Sequence, residues 1–371
     1  MQSTQQRFGM YQLIGSPVSL YTAKLRAYLR YKAIPFSECL STGEVYKKII
    51  LPNTGVAFIP VLKTPEGHYL QDTTDIIDHL EALFTQNNIF PSTPKQRLVA
   101  HLLEAYGDEW LVNPAMLYRW RIEENKAFAL REFGKTSAPN LTPAEQFTIG
   151  QKNAGPFAGA LPYLGITDKS AGAIQTSYLQ LLEDLNKHFQ EHEFLLGSRP
   201  SIADFSFFGP LYGHLYRDPA SGRLMQEHAP NLCAWIDRLL TPYPLCGKFL
   251  DNDEVPNTLH PILQRLQLEL LPVIQQTFKE VSQWVSDNGE GEIPRSISTL
   301  SYKIGEVEEK RHVFPFNLWK WQRVNDHIQT LHEESRNSLG QLINLKACEL
   351  PIQTPEFRLA RVNNILMVKW V

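Results

Sequence analysis

The sequence lacks a CxxC pair, a long apolar run and an excess of charge of either sign. Its four cysteines, Cys39, Cys233, Cys246 and Cys348, are scattered. That excludes a local zinc knuckle or a thioredoxin-type dithiol and fits reduced, small hydrophobic side chains. No stretch approaches the run of about 18 apolar residues that crosses a bilayer. The opening residues, Met1-Gln-Ser-Thr-Gln-Gln-Arg7, have no apolar signal core. The expectation is a cytoplasmic protein with no membrane contact. With 36 Lys and Arg against 39 Asp and Glu, the net charge is −3, so no broad field attracts nucleic acid. GxxxxGK[ST], the Rossmann fingerprint, GxSxG and HExxH are also missing. Nucleotide and serine-hydrolase chemistry therefore lack support, and neither a metal nor a nucleotide is expected.

What is present suits large cores. The 371 residues are 43% hydrophobic and 20% charged, and at about 150 residues per domain they predict two or three domains. Tyr11-Gln-Leu-Ile14 reads as a buried strand stopped by Gly15-Ser16-Pro17. From Leu20 to Tyr31 the apolar spacing becomes helical, through Tyr21, Leu25, Tyr28 and Leu29. Short strands follow at Ile34–Ser37, Phe58–Leu62 and His68–Leu70, with a hairpin signal at Thr64–Gly67, and Asp75–Phe84 is helical. Pro60 conflicts with a strand unless it sits trans on an edge or follows a cis bond at the strand's start. Beyond Pro94 the pattern is one of long amphipathic helices: Gln96–Leu111, Asn113–Phe133, Ala173–Gln190, Ile202–Leu215 and Leu232–Leu239. Gly134–Gly172, rich in small residues and proline, reads as loops. His260–Val285 reads as a helix kinked at Pro272, and Phe316–Glu334 as another.

Three local patterns, in this order, resemble the cytosolic glutathione transferase family. They are Ser16-Pro-Val-Ser19-Leu-Tyr-Thr-Ala-Lys24-Leu-Arg26, then Phe58-Ile59-Pro60-Val61-Leu62 with Asp72-Thr73 ten residues on, and Ser201-Ile-Ala-Asp204-Phe205. The resemblance covers residues 10–250 and is to a Ser/Cys-type, bacterial or fungal-like member carrying a carboxy-terminal extension. It implies an α/β plus all-α fold: a thioredoxin-like glutathione-binding domain (9–86), an all-helical substrate domain (95–250) and an α-rich extension (256–371) of unknown role. It further implies a cytoplasmic, homodimeric detoxification enzyme that uses glutathione as co-substrate to attack a small hydrophobic electrophile. A non-catalytic module of this fold, for assembly or ligand carriage, is the rival, as is a glutathione-dependent lyase, dehalogenase or isomerase.

The chemistry asks for little. A glutathione thiol resembles free cysteine, with a pKa near ~8.5, so lowering it by two units takes about 2.7 kcal/mol. One charge-assisted hydrogen bond supplies about 1.5–3 kcal/mol, and a helix N-terminus adds up to roughly 1. A hydroxyl at the start of the first helix is sufficient. Family spacing, five residues before Lys24, selects Ser19. Helix signals alone select Ser16 as N-cap with Pro17 at the first helical position. A common Ser/Cys-Pro pair would put proline after the donor, whereas Leu20 follows Ser19, so both serines, and the nearby Tyr21, stay open.

The resemblance also assigns Ile59, through its backbone beside Pro60, to the cysteinyl part of glutathione, and Asp72 with Thr73 to the γ-glutamyl end. Thr73 or Thr74 as a plain helix cap is the alternative. Tyr21, Tyr106, Trp110 and Tyr118 are candidate walls of the electrophile pocket, with Met116 and Trp120 beside them; core packing is the competing role for each. Arg119 and Arg121 read as solvated charges or as partners of an anionic group. Ser201 and Asp204 read as a helix cap. His188 and His192, four apart beside Glu191 and Glu193, read as a polar surface rather than a metal site. The stripe from Ile262 to Val285 needs an apolar partner, most simply the helical domain.

Overall fold

The computed structural model describes residues 9–241, 247–340, 342–348, 350 and 357–371. The opening segment read for a signal, residues 1–7, and Cys246 lie outside the described residues.

The chain begins with β1 (Tyr11–Gly15), α1 (Leu20–Tyr31) and β2 (Phe36–Leu40). A run of helical turns then covers Gly43–Val45, Tyr46–Ile50 and Leu51–Thr54, where the sequence reading had no element. After β3 (Val61–Lys63), β4 (Tyr69–Gln71) and α2 (Thr73–Leu83), the structure turns helical: α3 (Pro94–Ala105), α4 (Val112–Arg121), α5 (Glu123–Ser137), α6 (Pro143–Ala158), α7 (Asp168–Glu191), α8 (Ile202–Pro210), α9 (Pro219–His228) and α10 (Pro230–Leu240). The last third holds α11 (His260–Glu269), α12 (Leu271–Asn288), β5 (Gly291–Glu292), β6 (Thr299–Ile304), β7 (Val307–His312), α13 (Pro315–Thr330), α14 (Glu333–Leu339), α15 (Leu345–Cys348), β8 (Phe357–Val362) and β9 (Ile365–Trp370).

The first sheet has the order β2-β1-β3-β4, with β1 parallel to β2 and antiparallel to β3. This is the thioredoxin-like arrangement: the parallel pair needs a crossover, which α1 supplies, and the antiparallel pair needs only a hairpin. The Ile59–Pro60 peptide is cis. β3 starts one residue later, so the proline precedes the ladder rather than interrupting it.

Several expectations change. The helix expected over 113–133 is two, parted at Ile122, whose extended backbone (φ −101°, ψ 119°) breaks the turn. The loops expected over 134–172 contain α6, opened by a full capping box between Thr142 and Glu145. The glycines read there as breakers serve close packing instead. A Cβ on Gly134 would lie 1.9 Å from the Gln146 carbonyl oxygen, and one on Gly150 2.0 Å from that of Leu130. The helix expected over 260–285 is α11 followed by α12, because Pro272 falls in the first turn of a new helix, where its missing N–H is harmless. The extension is helix-rich, yet it also carries a β6–β7 hairpin and a three-stranded sheet of order β5-β9-β8.

The chain forms two compact units. The first comprises residues 1–89, 115–159 and 208–246, the second 90–114, 160–207 and 247–371. Within the second, the apolar stripe of the extension finds its partner. Ile262, Leu266, Ile274 and Val281 are fully buried or nearly so; α11 packs on α7 of the helical part, and α12 packs on α13 and β6 of the extension itself.

Candidate functional site

In the first unit, α1 starts at Leu20 and Ser19 is its N-cap: the Ser19 hydroxyl oxygen accepts from the Thr22 N–H at 3.2 Å. This corrects the helix-signal reading in which Ser16 capped and Pro17 opened the helix. Ser16 lies in the preceding loop and is buried, 6% exposed. Its hydroxyl accepts from the Val18 N–H at 3.3 Å and shares a hydrogen bond with Thr136 Oγ1 at 3.3 Å. Ser19 is half-buried, and among the described residues its hydroxyl proton has no acceptor. The two serines are thus told apart: one is engaged within the protein, the other retains a donor at a helix N-terminus.

The loop between them is held from behind. Arg119 is 1% exposed, so it is neither solvated nor open to a ligand. Its guanidinium donates to both Asp218 carboxylate oxygens at 2.7 Å, to the Val18 carbonyl at 2.8 Å and to the Gly213 carbonyl at 2.9 Å. Arg217 donates to the Pro17 carbonyl and pairs with Glu132 at 3.2 Å. The sequence singled out Arg119 for a different role and passed over Thr136 and Arg217. These lie 120 and 200 residues from their loop partners, and no local signal marks them.

Ile59 is half-buried against Ile14, Ile50 and Val61, and its backbone N–H and carbonyl form no hydrogen bond among the described residues. Asp72, not Thr73 or Thr74, is the N-cap of α2, accepting from the Thr74 N–H at 2.8 Å. Its φ of 79° is rare for a residue with a side chain and costs of order 1–3 kcal/mol. That strain is held by the cap and by β4 before it. Thr73 is buried at 2% exposure. Lys24 is fully buried, and Arg26 forms a two-pronged pair with Glu38 at 2.8 and 2.7 Å.

The four candidate pocket residues divide. Tyr21 and Tyr118 belong to the first unit, Tyr106 and Trp110 to the second. Tyr21 is half-buried, and Tyr118 is 5% exposed with its phenol pushed up to about 12 by burial. Tyr106 and Trp110 are 1% and 2% exposed and both donate to Glu269 Oε2, at 3.0 and 2.6 Å. The cavity they share with Asn113, Ser177 and Tyr178 measures ≈ 10 Å³, which is about one water and far below an organic ligand. These two side chains are core. Trp120, 6% exposed, packs on Phe133 at 6.0 Å between ring centres.

The cap expected at Ser201 and Asp204 exists: the carboxylate accepts from the Ser201 N–H and hydroxyl at 2.8 and 2.9 Å and from the Leu195 N–H at 2.9 Å. His188 is not on a polar surface. It is fully buried, 2.8 Å from Thr258 Oγ1, with burial pushing its imidazole down to about 3. Among the described residues no cluster of three or more His, Cys, Asp or Glu side chains could hold a metal, and no helix is long and apolar enough to cross a membrane.

Comparison with known proteins bears on these two regions. Residues 13–88 match the family model "Glutathione S-transferase, N-terminal domain" and residues 167–241 match "Glutathione S-transferase, C-terminal domain". No curated protein matches the sequence. Solved structures similar to this chain include a glutathione S-transferase from Rhodospirillum rubrum F11, 17% identical, spanning 67% of this chain and 97% of that one with a TM-score of 0.42. Another is the beta-etherase LigF from Sphingobium sp. strain SYK-6, 19% identical, spanning 63% and 96% with a TM-score of 0.47. A third is a glutathione S-transferase from Methylobacterium radiotolerans in complex with glutathione sulfonate, 19% identical, spanning 67% and 100% with a TM-score of 0.39. At these scores the likeness carries no argument about activity. The two family models leave residues 1–12, 89–166 and 242–371 uncovered, but they match both characteristic domains in the family's order. The chain thus carries segments that match the N-terminal and the C-terminal domain of the glutathione S-transferase family, in the family's order.

Proposed function

We propose that this protein binds glutathione on its thioredoxin-like domain and transfers the thiolate to a small hydrophobic electrophile, with Ser19 as the group that stabilises the thiolate. The observation that carries the reading is the contrast at the β1–α1 turn. Ser19 caps α1 and, among the described residues, its hydroxyl proton is unengaged, while the hydroxyl of Ser16 is buried against Thr136. A thiolate accepting from Ser19 would sit at the positive end of α1, where one charge-assisted bond of about 1.5–3 kcal/mol shifts a thiol by one to two pKa units.

The peptide part has its counterparts nearby in sequence. The N–H and carbonyl of Ile59, unpaired among the described residues and beside cis Pro60, suit the antiparallel pairing a cysteinyl residue would make. The strained Asp72 and the α2 N-terminus behind it, with Thr73, offer a carboxylate for an ammonium and amides for a carboxylate. The thiolate attacks a soft carbon, and the leaving group departs with the bonding pair or the alkene takes the proton. In this reading the enzyme is a homodimeric, cytoplasmic detoxification transferase that needs no metal or nucleotide.

The test compares Ser19→Ala with Ser16→Ala using a chromogenic aryl halide as electrophile. Ser19→Ala is expected to lower kcat/KM by about 10- to 100-fold, the loss of one charge-assisted bond, and Ser16→Ala by far less. Equal activity in Ser19→Ala and parent would remove Ser19 from the mechanism.

A further inference from the structure

We propose that Arg119 and Arg217 form a clamp that positions the Ser19 hydroxyl by gripping the two peptide carbonyls immediately before it. The inference rests on the reading of Ser19 as thiolate donor and adds the residues that aim it. Neither arginine is a catalytic residue; both are positioning residues.

The carbonyls of Pro17 and Val18 are adjacent in sequence, yet each is bound by a different guanidinium. Arg217 donates to the first and Arg119, at 2.8 Å, to the second. Both arginines are themselves fixed. Arg119 holds Asp218 through two bonds of 2.7 Å and caps the Gly213 carbonyl. Arg217 pairs with Glu132 and lies over the Phe128 ring at 6.0 Å. On one side of the pair of carbonyls the Ser16 hydroxyl is held by Thr136. On the other, the first residue of α1 rests on glycine backbone: a Cβ on Gly209 would lie 3.0 Å from the Leu20 oxygen, and one on Gly213 2.9 Å from Leu20 Cα.

Residues 16, 17, 18 and 20 are therefore each held by side chains or backbone of the segments 119–136 and 209–217. Ser19, in the middle, carries a side-chain donor with no acceptor among the described residues. A hydroxyl on a loop stabilises a developing charge only when its direction is fixed beforehand, because reorientation would consume the gain. Each arginine's charge is matched by its own carboxylate, Asp218 or Glu132, so the clamp acts through geometry more than through field. Arg119 belongs to the helical stretch that the sequence reading offered to an anionic ligand; its full coordination by protein atoms excludes that use.

Arg217 is the residue to change, since its side chain is 19% exposed and its removal strands no deeply buried carboxylate. The experiment titrates the ultraviolet absorbance of the thiolate of glutathione bound to the full-length protein, in parent, Arg217→Met, Arg217→Lys and Ser19→Ala. Unfolding midpoints confirm the fold of each. The clamp predicts that Arg217→Met raises the apparent pKa of the bound thiol by about one unit, a tenfold loss of thiolate at neutral pH. Glutathione Kd should change less than about threefold, and Arg217→Lys, which keeps one donor, should recover part of the shift. Adding Arg217→Met to Ser19→Ala should shift the thiol no further than Ser19→Ala alone. If Ser19→Ala raises the thiol pKa and Arg217→Met leaves it unmoved, the clamp is overturned while the Ser19 reading stands. If Ser19→Ala leaves it unmoved as well, or if glutathione does not bind the parent, both fall.

Discussion

Both compact units bury charged groups, but they arrange them to different ends. In the first unit the buried arginine converges with Arg217 on backbone carbonyls of one short loop, and a serine in that loop keeps a donor unengaged. In the second the buried charges satisfy one another or the aromatic core. Glu269 accepts from Tyr106, Trp110 and Ser177, Asp108 pairs with Lys320 at 2.9 Å, and Glu104 pairs with Arg323 at 2.9 Å. The second network ties residues 101–110 to the extension, although buried polar atoms of Asn113 and Arg311 have no hydrogen-bond partner among the described residues. A buried polar network that joins segments far apart in sequence fixes a fold; one that closes on a loop fixes the direction of the groups that loop carries.

The contrast yields predictions, and the largest concerns the extension. Removing residues 256–371 takes Glu269, Lys320 and Arg323 away from Tyr106, Trp110, Asp108 and Glu104. Two carboxylates at 1% exposure would then lose their cationic partners. Each such loss costs about 3–5 kcal/mol, so the truncated chain should lack a cooperative melt by circular dichroism. A truncated protein that melts like the parent would show the extension to be an appendage. Next in size, Glu269→Ala strands three donors at about 1–3 kcal/mol each. It should lower the urea midpoint of unfolding far more than it changes glutathione affinity. A selective loss of glutathione affinity would instead move the functional site into this cluster.

A smaller effect should appear with pH. Burial holds His101 down at about 4 and His188 at about 3, below the unfolded value of about 6.5, so between these limits the unfolded chain binds more protons. Stability is therefore complete above about pH 6.5 and declines as the pH falls toward 4, by up to about 1.4 kcal/mol per pH unit for each histidine. Urea titrations at pH 7 and pH 5 check the sign, and His101→Phe should flatten part of the slope. Smallest is Ser16→Ala, which removes the 3.3 Å bonds to Thr136 and from the Val18 N–H and should cost about 1–2 kcal/mol of stability, with little effect on turnover.

The first unit was the more legible of the two in sequence. The 3.6-residue spacing over Leu20–Tyr31 located α1 to the residue, and counting from Lys24 selected the serine that caps it. What sequence could not supply was the far side of the loop, because Thr136 and Arg217 meet it only after folding. In the second unit Tyr106 and Trp110 share a helix face, as expected, but the carboxylate that claims both lies 163 and 159 residues on. Without it they read as a pocket wall. Some of what was missed had a local signal. The alternation of Leu300, Tyr302 and Ile304 before Gly305, at φ 54°, spells the first strand of a hairpin. Asn363-Asn364, at φ 51° and 65°, is a turn between β8 and β9. Charges such as Lys303 on the exposed face and the Glu308–Arg311 run that follows mask the alternation of the first.

The most direct measurement is a calorimetric titration of the full-length protein with reduced glutathione, which requires no knowledge of the electrophile. The account predicts saturable binding, weakened when Asp72 is changed to Ala and kept in Glu269→Gln, whose cluster belongs to the fold rather than the site. No binding up to millimolar glutathione would contradict it, and would leave a protein that retains the family's domains without the family's co-substrate.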